Sequence, residues 1–260
     1  MKFLLQAIVL LILVSCSTPR LSVSESLKTS NDAYSVKGRQ GILINQKLSF
    51  GEFKTTKVKR SWTRGNSSQF GVGTLSAQNE WVNLISLEYI NRKQTINFSL
   101  TDGERQSEVF CVTKFNAEDL HVGKNPNSIL NIALELAGIG SSSNNFYVQV
   151  FDGTDGMPWQ LLLDNQEAQS KPKKYTGVFA KSKTDYYTIV PVTRLETNGK
   201  SGNMLFGSAG FEIKNPKGEA VAAVSLIDKG MIFLGKTTKE ERFLMANLSA
   251  ALLLQENIGG

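Results

Sequence analysis

The stretch from Phe243 to Leu254 is apolar at every position except Asn247 and Ser249, and it constrains the fold more than any other part of the chain. Thr238, followed three residues later by Glu241, has the spacing of a capping box, and Gly259-Gly260 closes the chain. These signals predict a helix over 238–256. A helix apolar on nearly every side must be buried on nearly every side. It is also too short to span a bilayer, which takes about 20 apolar residues. The rest of the chain must therefore supply its walls, either as a sheet on which the helix packs or as a β-barrel through which it threads.

From Ala33 to Gly235, short apolar runs are broken by Gly, Asn, Asp and Lys, the texture of antiparallel β structure. Expected strands are Gly41 to Asn45, Lys47 to Phe50, Thr55 to Trp62, Trp81 to Ile90, Thr95 to Leu100 and Ser107 to Phe115. Phe146 to Phe151, Trp159 to Leu163, Tyr175 to Ala180 and Tyr186 to Val192 continue the series. Ser128 to Ala137 fits both helical and strand periods, and its neighbours favour a strand. Trp81 to Ile90 and Thr95 to Leu100 are expected to pair across Asn91-Arg92-Lys93, because Ile96, Phe98 and Leu100 alternate with Asn97 and Ser99. Ser61 to Asn79 and Thr193 to Asn203 read as long polar loops. Gly210 to Lys214, Glu219 to Ile227 and Met231 to Leu234 form a meander that turns at Asn215-Pro216-Lys217-Gly218 and at Asp228-Lys229-Gly230. The fold class is mainly β: an antiparallel β-barrel or sandwich of roughly ten to twelve strands with one buried apolar C-terminal helix, in a single domain over 33–260.

A meander followed at once by an apolar terminal helix resembles the tubby C-terminal, LURP and scramblase-like fold. The resemblance lies in the order of elements over 33–260 and is sharpest in the last fifty residues or so. It implies a barrel of roughly twelve strands enclosing the helix. Tubby-type domains bind phosphoinositide headgroups through basic residues, and no basic residue here maps onto that site.

At the other end, Lys2, the apolar run Ala7 to Val14 and the small residue Ser15 are the three parts of a secretory signal over 1–15. Leu13-Val14-Ser15-Cys16 resembles the lipobox of bacterial lipoproteins. That resemblance implies cleavage before Cys16 and acylation of its sulfur and new amino group. Ser17, where aspartate would favour inner-membrane retention, implies the outer membrane rather than the inner. Each buried acyl methylene contributes about 0.8 kcal/mol, so two or three chains hold a domain that one holds only marginally. Residues 16–32, rich in serine and threonine with Pro19, read as a lipidated flexible tether tens of ångströms in reach.

The formal net charge of +6 suits anionic headgroups or polyanionic glycans without demanding them. Lys54, Lys57, Lys59, Arg60 and Arg64 fall in one stretch and are the candidate contacts for an anionic ligand. Lys171, Lys173 and Lys174 form a second cluster. With Cys16 acylated, Cys111 has no partner for a disulfide, and its apolar setting Val109-Phe110-Cys111-Val112 reads as a buried, inert thiol.

Catalytic signatures are sparse. Gly-x-Ser-x-Gly is absent, and the lone histidine, His121, sits in a polar stretch. Asp152-Gly153-Thr154-Asp155-Gly156 lacks the spacing and closing glutamate of a calcium loop and reads as a hairpin turn. Gly71-Val72-Gly73 and Gly138-Ile139-Gly140 lack the third glycine of a phosphate cradle. No catalytic residue, metal ligand or cofactor is assigned, and nothing suggests nucleic acid. Trp62, Trp81 and Trp159 fall in or beside strands, where core packing is the commoner fate. Two classes of function follow. The preferred one is a membrane-anchored envelope lipoprotein acting as a non-catalytic binding or structural module toward a lipid, glycan or envelope protein. The alternatives are an envelope glycan hydrolase with carboxylates assembled by folding, and an anionic-lipid-binding module.

Overall fold

The computed structural model describes residues 18–30, 32–39, 46–62, 70–75, 81–87, 94–115, 120–121, 144–153 and 156–255. The first elements are β1 (Arg20–Leu21), α1 (Glu25–Lys28), β2 (Ala33–Ser35), β3 (Ser49–Phe50), β4 (Phe53–Thr55), β5 (Lys59–Trp62), β6 (Phe70–Leu75) and β7 (Trp81–Leu87). Next come β8 (Gln94–Thr101), β9 (Gln106–Phe115), β10 (Leu120–His121), β11 (Asn145–Phe151), β12 (Trp159–Asp164), α2 (Asn165–Ser170), β13 (Gly177–Ala180) and β14 (Tyr186–Val192). The last third holds β15 (Arg194–Thr197), β16 (Lys200–Asn203), β17 (Gly210–Lys214), β18 (Ala220–Ser225), β19 (Met231–Leu234) and α3 (Lys239–Leu254).

Thirteen strands join in one antiparallel sheet, twelve of them in the continuous order β2-β19-β18-β17-β14-β13-β12-β11-β9-β8-β4-β3, with β5 beside β8. The two ends of that order meet. Lys37, just past β2, bridges Ser49 of β3 through reciprocal N–H···O bonds of 2.9 and 3.0 Å. The result is a nearly closed barrel around one C-terminal helix. Two three-stranded sheets, β1-β15-β16 and β10-β7-β6, complete the strands of the described residues.

The helix α3 occupies the barrel. Every residue from Phe243 to Leu254 is buried, in one cluster with inward side chains of the wall such as Ile96, Phe98, Leu100, Phe146, Phe179, Phe211 and Ile232. Each such leucine or phenylalanine stabilises by roughly 1.5–3 kcal/mol on leaving water. The polar exception Asn247 is matched: its amide donates to the Phe243 carbonyl at 2.8 Å, and it accepts from Ser107 Oγ of β9 at 2.5 Å. At the helix start, Thr238 Oγ1 accepts from the Glu241 amide at 3.2 Å. The Glu241 carboxylate, expected to complete a capping box, instead accepts from Tyr187 Oη of β14 at 2.9 Å. Arg242 donates to Asp32 at 2.8 Å and to Tyr34 Oη at 2.9 Å, while Arg105 lies 4.8 Å over the Phe243 ring. This end of the barrel is stoppered by matched charges.

Several sequence expectations are met. The strands from Phe146 to Val192, the meander β17-β18-β19 and the terminal helix stand where the spacing places them, with each meander pair antiparallel. Cys111 is fully buried, and desolvation pushes its thiol pKa far up. Others are corrected. Trp81–Leu87 does not pair with β8: it pairs with β6 and β10, whereas β8 takes β9, β4 and β5. The supposed loop Ser61 to Asn79 contains β6, and Thr193 to Asn203 is the hairpin β15-β16. Its turn is Asn198-Gly199, with φ of 51° and 73°, the left-handed pair that a two-residue hairpin turn requires. His121 lies in β10 opposite Ser86. The expected strands Gly41 to Asn45 and Ser128 to Ala137, and Gly259-Gly260, fall outside the described residues.

The tether of 16–32 is also shorter than expected. β1 pairs with β15, and Leu21, Val23 and Leu27 are buried against Ala209, Ala223 and Phe233. Ser24 donates through its amide at 2.6 Å and its hydroxyl at 3.0 Å to the Glu212 carboxylate. The folded unit therefore begins at Arg20, because three apolar side chains in this serine-rich stretch outweigh its polar composition. Only Ser17 separates Cys16 from Thr18, the first described position.

Candidate functional site

Four of the five basic residues singled out from the sequence lie among the described residues, and they do not form one site. Arg64 and Cys16 fall outside. Lys54, Lys57 and Lys59 are exposed on the outer wall. The Thr56 amide bonds the Ser99 carbonyl at 2.8 Å, its hydroxyl takes the Ser99 amide at 2.9 Å, and Val58 is buried. These contacts hold Lys57 against β8, and Lys59 pairs with Asn97. Both lysines line an open groove of about 390 Å³ with Asn97, Ser99, Glu108 and Phe110. Glu108 makes it mixed in charge rather than purely cationic.

Arg60 has a different role. Its Nη2 donates to the Leu254 carbonyl at 2.8 Å and to Gln46 Oε1 at 3.1 Å, at the C-terminal end of α3. The last carbonyls of a helix have no partner within it, and a cation there also opposes the negative end of the helix dipole. Next to it, Gln255 Nε2 donates to Asn165 Oδ1 at the start of α2. Arg60 is thus a cap for the core helix rather than a surface ligand contact. Arg60→Gln is expected to destabilise by about 2 kcal/mol, the worth of a hydrogen bond to a charged group, whereas Lys57→Gln and Lys59→Gln leave thermal unfolding unchanged. Equal melting of all three variants would return Arg60 to the surface.

A larger cleft, about 990 Å³, opens beside the first described residues. Thr18 and Arg20 form one wall, Glu196 and Asn198 of the β15-β16 hairpin another, and Asp228 and Lys229 a third. Asp228 holds a φ of 51°, and Arg39 Nη1 fixes this turn by donating to the Leu226 and Asp228 carbonyls at 3.1 and 3.2 Å. Glu196 accepts from Lys28 Nζ at 2.7 Å and Ser22 Oγ at 2.8 Å, and these donors lower its pKa. A glycosidase acid needs the reverse, a carboxyl whose pKa is raised. Glu196 therefore gives the hydrolase reading no support.

The remaining candidates are placed as follows. Trp159 stacks on Phe179 at 5.3 Å and meets Tyr187 at 5.5 Å, packed on the barrel core rather than set out as a platform. The side chains of Trp62, Trp81 and His121, and Thr154-Asp155 of the glycine-rich turn, lie outside the description. Among the described residues no group of three or more His, Cys, Asp or Glu converges. Sequence reasoning missed two features. One is α2, whose signal was Asp164 three residues before Glu167; its carboxylate accepts the Glu167 amide at 2.9 Å. The other is the apolar pair Leu205-Phe206, which is 91% and 87% exposed between β16 and β17. No protein family, curated protein or solved structure matches the chain.

Proposed function

We propose that this chain is a lipid-anchored envelope protein, held through acyl groups on Cys16, whose barrel is a non-catalytic binding or structural module that works through its outer surface. The observation that supports this reading is the filled lumen: α3 lies where a ligand-carrying barrel holds its cargo, with every residue from Phe243 to Leu254 buried. Recognition then belongs to the outside, where the anchor-side cleft and the Lys57–Lys59 groove both carry charged side chains. The tubby-like reading rests on the same order of elements, a twelve-strand wall around a C-terminal helix.

Expression of the full chain in a bacterial host fed an alkynyl fatty acid tests the anchor. The wild type is expected to take up label and fractionate with membranes, and Cys16→Ser to lose both. An unlabelled, soluble wild type would end this reading.

A further inference from the structure

We propose that the loop between β16 and β17 is a membrane-contacting wedge: Leu205 and Phe206 enter the interface of an anionic bilayer while the neighbouring lysines meet its headgroups. Leu205 and Phe206 are the most exposed large apolar residues among the described side chains. Two adjacent large apolar side chains in water are costly, and such exposure marks a surface that is covered in use.

The loop is held in place at both ends. The Met204 amide bonds the Thr193 carbonyl at 2.7 Å, and the Ala209 amide bonds the Val192 carbonyl at 2.9 Å. Gln169, near the end of α2, accepts from the Ser208 amide at 3.0 Å and donates to its hydroxyl at 3.1 Å. Gly207, at a φ of 72°, lets the chain pass so close that a Cβ would stand 2.3 Å from the Gln169 oxygen. Fixing the backbone on both sides of the pair lowers the ordering cost of contact.

Charge selects the occupant. The bonds from Gln169 bring the loop beside the turn that follows α2, which carries the exposed Lys171, Lys173 and Lys174. Lys171 is paired with Glu167 at 2.9 Å, while Arg194 and Lys200 are exposed on the hairpin that leads into the loop. An apolar tip with cations on the turn and the hairpin that flank it fits an anionic lipid surface. The anchor, which rests on the reading above, agrees with this placement. Cys16 lies at most about 7 Å of extended chain from Thr18. From there β1 runs along β15 toward the loop, and β15 is only about 13 Å long. The β1-β15-β16 face would lie against the bilayer.

The test places an environment-sensitive fluorophore on Phe206→Cys in the full-length chain, in both the wild-type and the Cys16→Ser background, with Lys217→Cys at the far end of β17 as control. Cys111 is buried and does not compete, and the Cys16→Ser background removes the other thiol. On titration with phosphatidylglycerol vesicles, the label at 206 is expected to shift to the blue and be quenched by spin-labelled lipid, while the label at 217 stays in water. Replacing Lys173 and Lys174 by Gln should raise the half-maximal lipid concentration about fivefold per lysine at low salt. A water-like label at 206 on protein that floats with the vesicles would overturn the proposal. So would a blue shift that appears without vesicles and grows with protein concentration, since that assigns the pair to a contact between copies. An unacylated mass with the 206 shift retained would support the wedge and remove the anchor.

Discussion

Leu252→Asp is expected to abolish cooperative folding of the domain. Leu252 is fully buried in α3 and belongs to the cluster that lines the barrel. Truncating such a leucine alone removes about 2–5 kcal/mol. An unpaired carboxylate in its place adds a desolvation cost of several kcal/mol more. A domain of this size holds about 5–15 kcal/mol in total, so the sum reaches or exceeds the whole stability. Far-UV circular dichroism during heating reads the outcome. A melting curve like the wild type's would mean that the helix is peripheral and the barrel stands without it.

Gly38→Ala is the second large effect, expected at about 3 kcal/mol from left-handed strain combined with overpacking. Gly38 has a φ of +83°, and a Cβ there would stand 1.8 Å from the Lys47 carbonyl oxygen. Backbone faces it, so no side chain can swing aside. The residue also follows Lys37, whose bridge to Ser49 joins the two ends of the sheet. The substitution should therefore open the seam before it melts the wall. Hydrogen exchange is expected to rise first at the amides of Lys37 and Ser49, with denaturant midpoints lowered accordingly. Protection unchanged at those two amides would show that the seam is not needed for closure.

The site was less legible than the fold. Lys57, Lys59 and Arg60 stand together in the sequence, yet two lie on the surface and the third caps a helix nearly two hundred residues away. Within β5, neighbouring residues face opposite sides of the sheet, so a run of charges says nothing about where each one points. The wedge was hidden for the opposite reason. Leu205-Phe206 looks like core in a sequence, and only a folded surface shows that nothing covers it. The turn at Asn198-Gly199 was legible, since that dipeptide favours left-handed turns, and the polar composition around it masked the hairpin.

The sequence by itself determined what local physics decides. The apolar run Phe243 to Leu254 required burial on all sides, and the proline-glycine turn between β17 and β18 set the register of the meander, because both effects act within a few residues. The tertiary structure alone decided which strands became neighbours. It gave β8 to β9 rather than β7, joined Lys37 to Ser49, drew Leu21 to Leu27 onto the barrel and brought Arg60 to the end of α3. Backbone hydrogen bonds are the same for any pair of strands. The choice of partner therefore rests on how the whole set of apolar faces can be buried at once, and that is a property of the assembled chain.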